Sequence, residues 1–477
     1  MNGLLKKIVT NNNFLSLANN GLVAVFGFLS FIMLVRMLPQ DVFGEWVLFI
    51  TMSNFIDMLR FGITRTAITR FLSAADEEGS KSLMGSNNLI NLTSTLILIV
   101  IIVPVYFFYK EGVQDSGFGL FFVWYPIYSI ITLPFNNAQS VLQAQLKFDS
   151  MLWLRIVNVG SFMVFLAANF YFKFGIEIIL IAYLATNALS SLMASINNWD
   201  GMRYIFKATK SATKTILDFG KYTTGTLIGS NLLRSADAFI IGLSPFLGTT
   251  GAALYSIPLK LTEIIEIPLR SFGATAFPAL SKASIENNKE KVKQLFYENA
   301  GGTTFLLFPV MIFCFIFARQ IVYILGGTDY LITANIFRIF CIYGLFLPLD
   351  RFIGVTLDSI NKPKQNLYKV IYMAVSNITG DALVVFGLSG IILSFSWSVL
   401  FIGNSVSPDI AFDMAHAYAM IKTLELVAIV SILFTIIGIL IGFHYLNQSL
   451  DLKFRDILKV GLNFGIQTAK HMLKIGH

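Results

Sequence analysis

The stretch 45–71, EWVLFITMSNFIDMLRFGITRTAITRF, constrains this chain more than any other. It is mostly apolar and long enough to cross a bilayer, which takes about 20 such residues. Yet it holds Asp57, Arg60 and Arg65. A charge at the bilayer centre costs at least about 2.5–3.5 kcal/mol on insertion scales. A helix that keeps three must turn them toward a bundle interior or a wet cavity. The rest of the chain has to supply the walls of that space.

It has the material. Only 13% of its residues are charged and 55% are hydrophobic, with a mean hydropathy of +0.70. Soluble domains carry about 25% charged residues. Apolar segments recur at 14–38, 45–71, 83–109, 119–146, 151–172 and 176–196. A polar, basic stretch at 197–218 interrupts them, and others follow at 219–243, 251–280, 303–325, 333–359, 367–390 and 419–445. They are too long for barrel strands, so the fold class is an all-α polytopic membrane protein of about twelve transmembrane helices. Residues 391–403 are apolar but short, and either extend the eleventh helix or lie re-entrant; a miscounted pair would make fourteen.

With the N-terminus placed in the cytoplasm, the outer segments hold only Arg36, Lys110, Lys173 and Arg319, while most other lysines and arginines fall inside. That bias puts both termini in the cytoplasm. The net charge of +8 is therefore first a topology signal, and no nucleic-acid partner is expected. Residues 11–38 are too long for the apolar core of a cleavable signal peptide. Cys314 and Cys341 lack metal-ligand spacing and read as packing residues. The cationic end, 450–477, reads as an amphipathic helix on the anionic inner leaflet.

A repeat is visible. MLRFGITRTAITRFLSA (58–74) and PLRSFGATAFPALSKA (268–283) share Leu-Arg, a nearby Gly and a closing Leu-Ser, and each runs into a charged loop. The expected organisation is an N-terminal six-helix half (1–200), a linker (201–218), a C-terminal six-helix half (219–449) and the tail (450–477). Both halves start on the same side, as in transporters that hold substrate between parallel repeats and rock them for alternating access.

Four stretches carry a family resemblance: LVRMLPQDVFGEWVLF (34–49), FGITRTAITR (61–70), DAFIIGLSPFLGTTGAALYSIPLKL (237–261) and FPALSKA (277–283). They resemble the O-antigen and capsule repeat-unit (Wzx-type) flippases of the MATE-like superfamily of exporters. The resemblance runs from the first helix to about Lys369 and is weakest at 390–419. It implies a MATE-like fold in a bacterial cytoplasmic (inner) membrane. It also implies the flipping of a polyprenyl-diphosphate-linked oligosaccharide to the outer leaflet. Membrane lipids, a polysaccharide polymerase and glycosyltransferases are the partners it suggests. A lipid II flippase or a MATE-type drug or cation antiporter would share the fold.

A diphosphate cargo calls for cations, and arginine offers it a planar fork of donors. Arg60 and Arg270 occupy equivalent places in the two repeats, and with Arg65 and Lys260 they form the candidate substrate-binding set. The competing reading pairs them within their helices: Asp57 with Arg60 at i,i+3 and Glu266 with Arg270 at i,i+4. Lys260, Glu263 and Arg270 fall on one helix face, with Glu266 to the side. Asp57, Glu263, Glu266, Asp350, Asp358 and Asp381 are candidates for gating or ion coupling. Asp350, Asp358 and Asp381 in particular could take up a coupling proton or sodium ion. Arg234 and Asp237 read as a structural pair, Arg338 and Arg351 join the Asp350 region, and Arg155 stands alone in sequence. Pro258, Pro268 and Pro278 mark a helix able to bend. An enzyme is the rival class, but none of His416, His444, His471 and His477 sits mid-bundle beside a carboxylate. No resident metal or organic cofactor is expected.

Overall fold

The computed structural model describes residues 12–73, 75–403, 408–457 and 459–461. It is helical throughout, with no strand among the described residues. The chain forms two compact units, residues 1–231 and 232–477.

Unit 1 holds α1 (Asn12–Met37), α2 (Gln40–Leu72), α3 (Glu77–Phe108), α4 (Lys110–Asp115), α5 (Gly119–Ile131), α6 (Leu133–Ala144), α7 (Phe148–Arg155), α8 (Ser161–Phe172) and α9 (Ile176–Ile196). The next helix, α10 (Lys210–Gly242), begins in unit 1 and ends in unit 2. Capping starts α3 where the hydropathy rises: the Asp76 carboxylate accepts from the Gly79 N–H.

The expected span 119–146 is broken. α5 and α6 meet at 49° around Thr132. Pro134 has no N–H to continue the ladder. The groups freed at the break are caught by one hydroxyl from α9: Ser191 Oγ donates to the Ile131 carbonyl at 2.6 Å. The same oxygen accepts from the Phe135 N–H at 3.2 Å. A second interruption falls in the fifth apolar segment, where a π-turn at Ile156–Gly160 separates α7 from α8.

α2 packs against α3, α5 and α6. A buried chain of amides crosses this interface, which hydropathy and charge spacing did not foretell. Thr64 Oγ1 donates to Asn91 Oδ1 at 2.8 Å. Asn91 Nδ2 donates to Asn137 Oδ1 at 2.6 Å. Asn137 in turn donates to Asn88, and Asn88 Nδ2 reaches the Asp200 carbonyl at 3.0 Å. The basic linker is shorter than expected, because Lys210–Asp218 is already helical. Its turn, Met202–Lys207, lies on α3 so closely that a Cβ on Gly85 would fall 2.1 Å from the Tyr204 carbonyl oxygen.

Unit 2 continues with α11 (Gly248–Ile285), α12 (Lys289–Ile316), α13 (Ala318–Gly326), α14 (Ala334–Ser359), α15 (Pro363–Ala382), α16 (Ser389–Gly403) and α17 (Pro408–Leu450). α14 is its centre, packed against α11, α12 and α17. Residues 391–403 extend the eleventh segment, since a π-turn at Leu383–Leu388 joins α15 directly to α16. α11 runs unbroken through Pro258, Pro268 and Pro278.

Among the described residues, eight helices are long and apolar enough to cross a membrane, nine if the bent α5–α6 pair is one span. This is a multi-pass membrane protein. The expected count of about twelve also includes 14–38, 219–243 and 251–280, segments of α1, α10 and α11 that fall outside this set, and α11 carries Lys260, Glu263, Glu266 and Arg270.

The expected tail helix lies outside the described residues from 462 onward. Its start is docked on α12: the Tyr297 hydroxyl accepts from the Lys453 N–H at 2.8 Å and donates to the Lys453 carbonyl at 3.3 Å. Leu452 and Ile457 join a buried cluster with Phe296, Leu280, Phe352 and Leu446. A Cβ on Gly301 would lie 2.2 Å from the Ile457 carbonyl oxygen and 2.7 Å from the Gly461 Cα. Gly301→Val is therefore expected to lift residues 451–461 from α12, at a cost of about 1–3 kcal/mol. Trypsin should then cut faster after Lys453 and Arg455; an unchanged rate would show that this contact does not hold the segment.

Candidate functional site

Two polar centres stand inside the apolar bundle. In unit 1, Arg60 is 1% exposed, and α2 delivers it to a pocket built for a guanidinium. One terminal nitrogen donates to Asp57 Oδ1 at 2.7 Å, the other to the Ser129 carbonyl at 2.7 Å, and Nε to Thr95 Oγ1 at 3.2 Å. The Tyr125 hydroxyl donates to the same Asp57 oxygen at 2.8 Å. The i,i+3 pairing is thus present. Arg60 holds together α2, α3 and α5 and is fully buried here.

Five residues along α2, Arg65 is exposed. Arg155, the last residue of α7, is half-buried and donates through Nε to Gln139 Oε1 of α6 at 2.9 Å. Neither arginine forms a salt bridge with a carboxylate among the described residues. Arg155 is isolated in the sequence, and its partner Gln139 comes from another helix.

In unit 2, four helices converge on Asp237 of α10. Its carboxylate accepts from Tyr255 of α11 at 2.9 Å, Asn377 of α15 at 2.8 Å and Ser431 of α17 at 3.3 Å. The expected partner Arg234 has a side chain outside the described residues. Asp381 follows Asn377, a donor to Asp237, by one helical turn and is fully buried. Neither of its carboxylate oxygens, nor Asn377 Oδ1, meets a donor among the described residues. Oxygen atoms with no donor around two buried carboxylates suit a bound monovalent cation or a shared proton. Among the described residues, no group of three or more His, Cys, Asp and Glu is placed to hold a metal ion. The π-turn at Leu383–Leu388 begins two residues past Asp381, as the one at Ile156–Gly160 begins directly after Arg155. Single π-turns frequently mark functional positions in helices.

The other candidates are placed less sharply. Lys260 pairs with Glu263 at 2.6 Å on α11. Arg270, exposed, donates to the Glu266 backbone carbonyl at 3.4 Å. Asp350 accepts from Lys369 Nζ at 2.6 Å, a pairing between α14 and α15 that spacing did not suggest. Asp358 is held by Asn366 Nδ2, at 3.0 Å from both carboxylate oxygens.

A family described as polysaccharide biosynthesis protein matches residues 33–335. No curated protein matches the sequence. Several solved structures share the fold, three of them as follows. An inward-facing multidrug resistance transporter of the MATE family and MOP superfamily is 15% identical, with a TM-score of 0.67 over 89% of this chain and 94% of its own. The lipid II flippase MurJ, in an inward closed conformation, is 16% identical, with a TM-score of 0.64 over 97% and 92%. A MOP superfamily transporter from Pyrococcus furiosus is 16% identical, with a TM-score of 0.55 over 91% and 94%.

Proposed function

The chain belongs to the polysaccharide biosynthesis protein family, and from that premise we propose that it flips a polyprenyl-diphosphate-linked oligosaccharide from the inner to the outer leaflet. It is a membrane transporter and not a glycan-processing enzyme. The membrane is the bacterial cytoplasmic (inner) membrane, with both termini in the cytoplasm. The cargo is a repeat unit for surface polysaccharide such as O-antigen or capsule. A polymerase and glycosyltransferases are the natural partners on either side of the step.

The observation that carries this reading is that neither Arg65 nor Arg155 in unit 1 forms a salt bridge with a carboxylate among the described residues. A lipophilic cation would be repelled there, whereas an anionic headgroup is attracted. Arg270 and Lys260 belong to the same cargo-facing set. The halves 1–200 and 219–449, joined by 201–218, alternate access to the cargo while the tail 450–477 rests on the inner leaflet. The cluster around Asp237 and Asp381 supplies the driving force by taking up a sodium ion or a proton.

The test is the lipid-linked saccharide content of cells lacking this protein. Accumulation of polyprenyl-diphosphate repeat units on the inner leaflet, with loss of surface polysaccharide, is the expected result. Normal precursors together with sensitivity to cationic drugs would transfer the chain to the drug exporters.

A further inference from the structure

We propose that unit 1 binds one anionic glycerophospholipid in the cavity where the linker meets α3 and the start of α10. Such a lipid is a component of the membrane and not the cargo, so the site stands whether or not the chain is a flippase.

The linker's return to the bundle builds the cavity. Thr209 pins it to α3: its hydroxyl shares a hydrogen bond with Ser82 Oγ at 2.8 Å, and its N–H donates to Ser86 Oγ at 3.3 Å. A Cβ on Gly85 would fall 2.9 Å from the Ala208 nitrogen, so only glycine lets the linker lie this close. α10 is seated as tightly on α2, where a Cβ on Gly220 would lie 2.2 Å from the Ile63 carbonyl oxygen. Ile216 is buried there beside Ala67 and Ile90. Other side chains of α10 face the cavity: Lys210, Thr213, Lys214 and Leu217 line a volume of about 450 Å³ together with Ala208 and Leu89. That is within the range of small-molecule sites, about 300–1,000 Å³.

The lining has two characters. Leu89 and Leu217 are both exposed and give it an apolar wall. From Leu89 the exposed face of α3 continues through Leu96 and Val100, at the i, i+7, i+11 spacing of one helix face. Acyl chains have a path along that strip. Lys210 and Lys214 stand one turn apart, exposed, and neither forms an ion pair among the described residues. Asp218 lines the same cavity, so its lysines outnumber its acid two to one. A phosphodiester with one negative charge restores the balance.

A soluble anion would need only the lysines. Phe206 is what points to a lipid. It is 98% exposed, on the turn that leads into the cavity, with Arg203 and Lys207 exposed beside it. A bulky apolar side chain among basic ones is the mixture that enters the headgroup layer of an anionic membrane. Phe206 therefore sets the turn, and the cavity that follows it, at headgroup depth.

The full-length protein in neutral detergent is offered phosphatidylglycerol, phosphatidylcholine or water-soluble glycerophosphoglycerol, and the retained molecules are counted by native mass spectrometry. Wild type should retain one phosphatidylglycerol per chain, in preference to phosphatidylcholine by about tenfold or more, as two cations at the headgroup imply. Lys210→Gln with Lys214→Gln should erase that preference, and Lys210→Arg with Lys214→Arg should keep it. Lys289→Gln with Lys291→Gln removes two exposed lysines from α12, away from the cavity, and should also keep it. Equal loss in both glutamine pairs would reduce the effect to bulk charge and overturn the site. Equal retention of phosphatidylcholine would overturn it too. Glycerophosphoglycerol held as tightly as the lipid would assign the lysines to a soluble phosphate ester and remove the lipid.

Discussion

Arg60→Ala is expected to cost the protein about 3–5 kcal/mol, enough to deplete the folded population. Removing one partner of a buried pair leaves the other charge uncompensated. Here the stranded group would be Asp57, still accepting from Tyr125, with the Ser129 carbonyl and Thr95 hydroxyl also losing their donor. The reading is specific to a structural charge. Asp57→Leu with Arg60→Met removes both charges at similar volume and should recover most of the loss. The measurement is the monodisperse fraction surviving a heat ramp. An alanine variant as heat-resistant as wild type would show that the pair adds nothing to the fold and would return Arg60 to the cargo-facing set.

Asp381→Ala has the opposite signature. Export should fall by roughly 5–150-fold, the span of a coupling free energy of about 1–3 kcal/mol. Stability should hold or rise, because a buried carboxylate that meets no donor is removed. Export into vesicles under an imposed sodium or proton gradient decides which ion is used. If the variant still exports at the wild-type rate under both gradients, the cluster is not the coupling site. Asp237→Ala should behave alike in transport but be less stable, because Tyr255, Asn377 and Ser431 all lose an acceptor.

The sequence was most legible where physics acts locally. Hydropathy located the helical segments, and spacing alone paired Asp57 with Arg60. The bend at Thr132 was hidden because Pro134 looks tolerable in a long apolar run; its consequence depends on Ser191, more than fifty residues away. The amide chain through Asn88, Asn91 and Asn137 did leave a trace, in the polar SNNLINLTS inside an apolar helix. Buried amides of that density must answer one another. Arg155 and Asp381 looked isolated because their neighbours come from other helices. No spacing rule brings Gln139 to the first, or Asp237, the partner of Asn377, to the helix of the second.

The closed pairing of Arg60 with Asp57 also has an electrical meaning. A neutral pair is indifferent to the membrane potential, so rearrangements of α2 around it do no electrical work. A cation that reaches Asp381 from outside is not indifferent. One elementary charge crossing the full membrane is worth about 2.3 kcal/mol per 100 mV. The voltage across the bilayer therefore has no grip on the first polar centre and a direct one on the second, whose occupancy should rise as the cell interior becomes more negative.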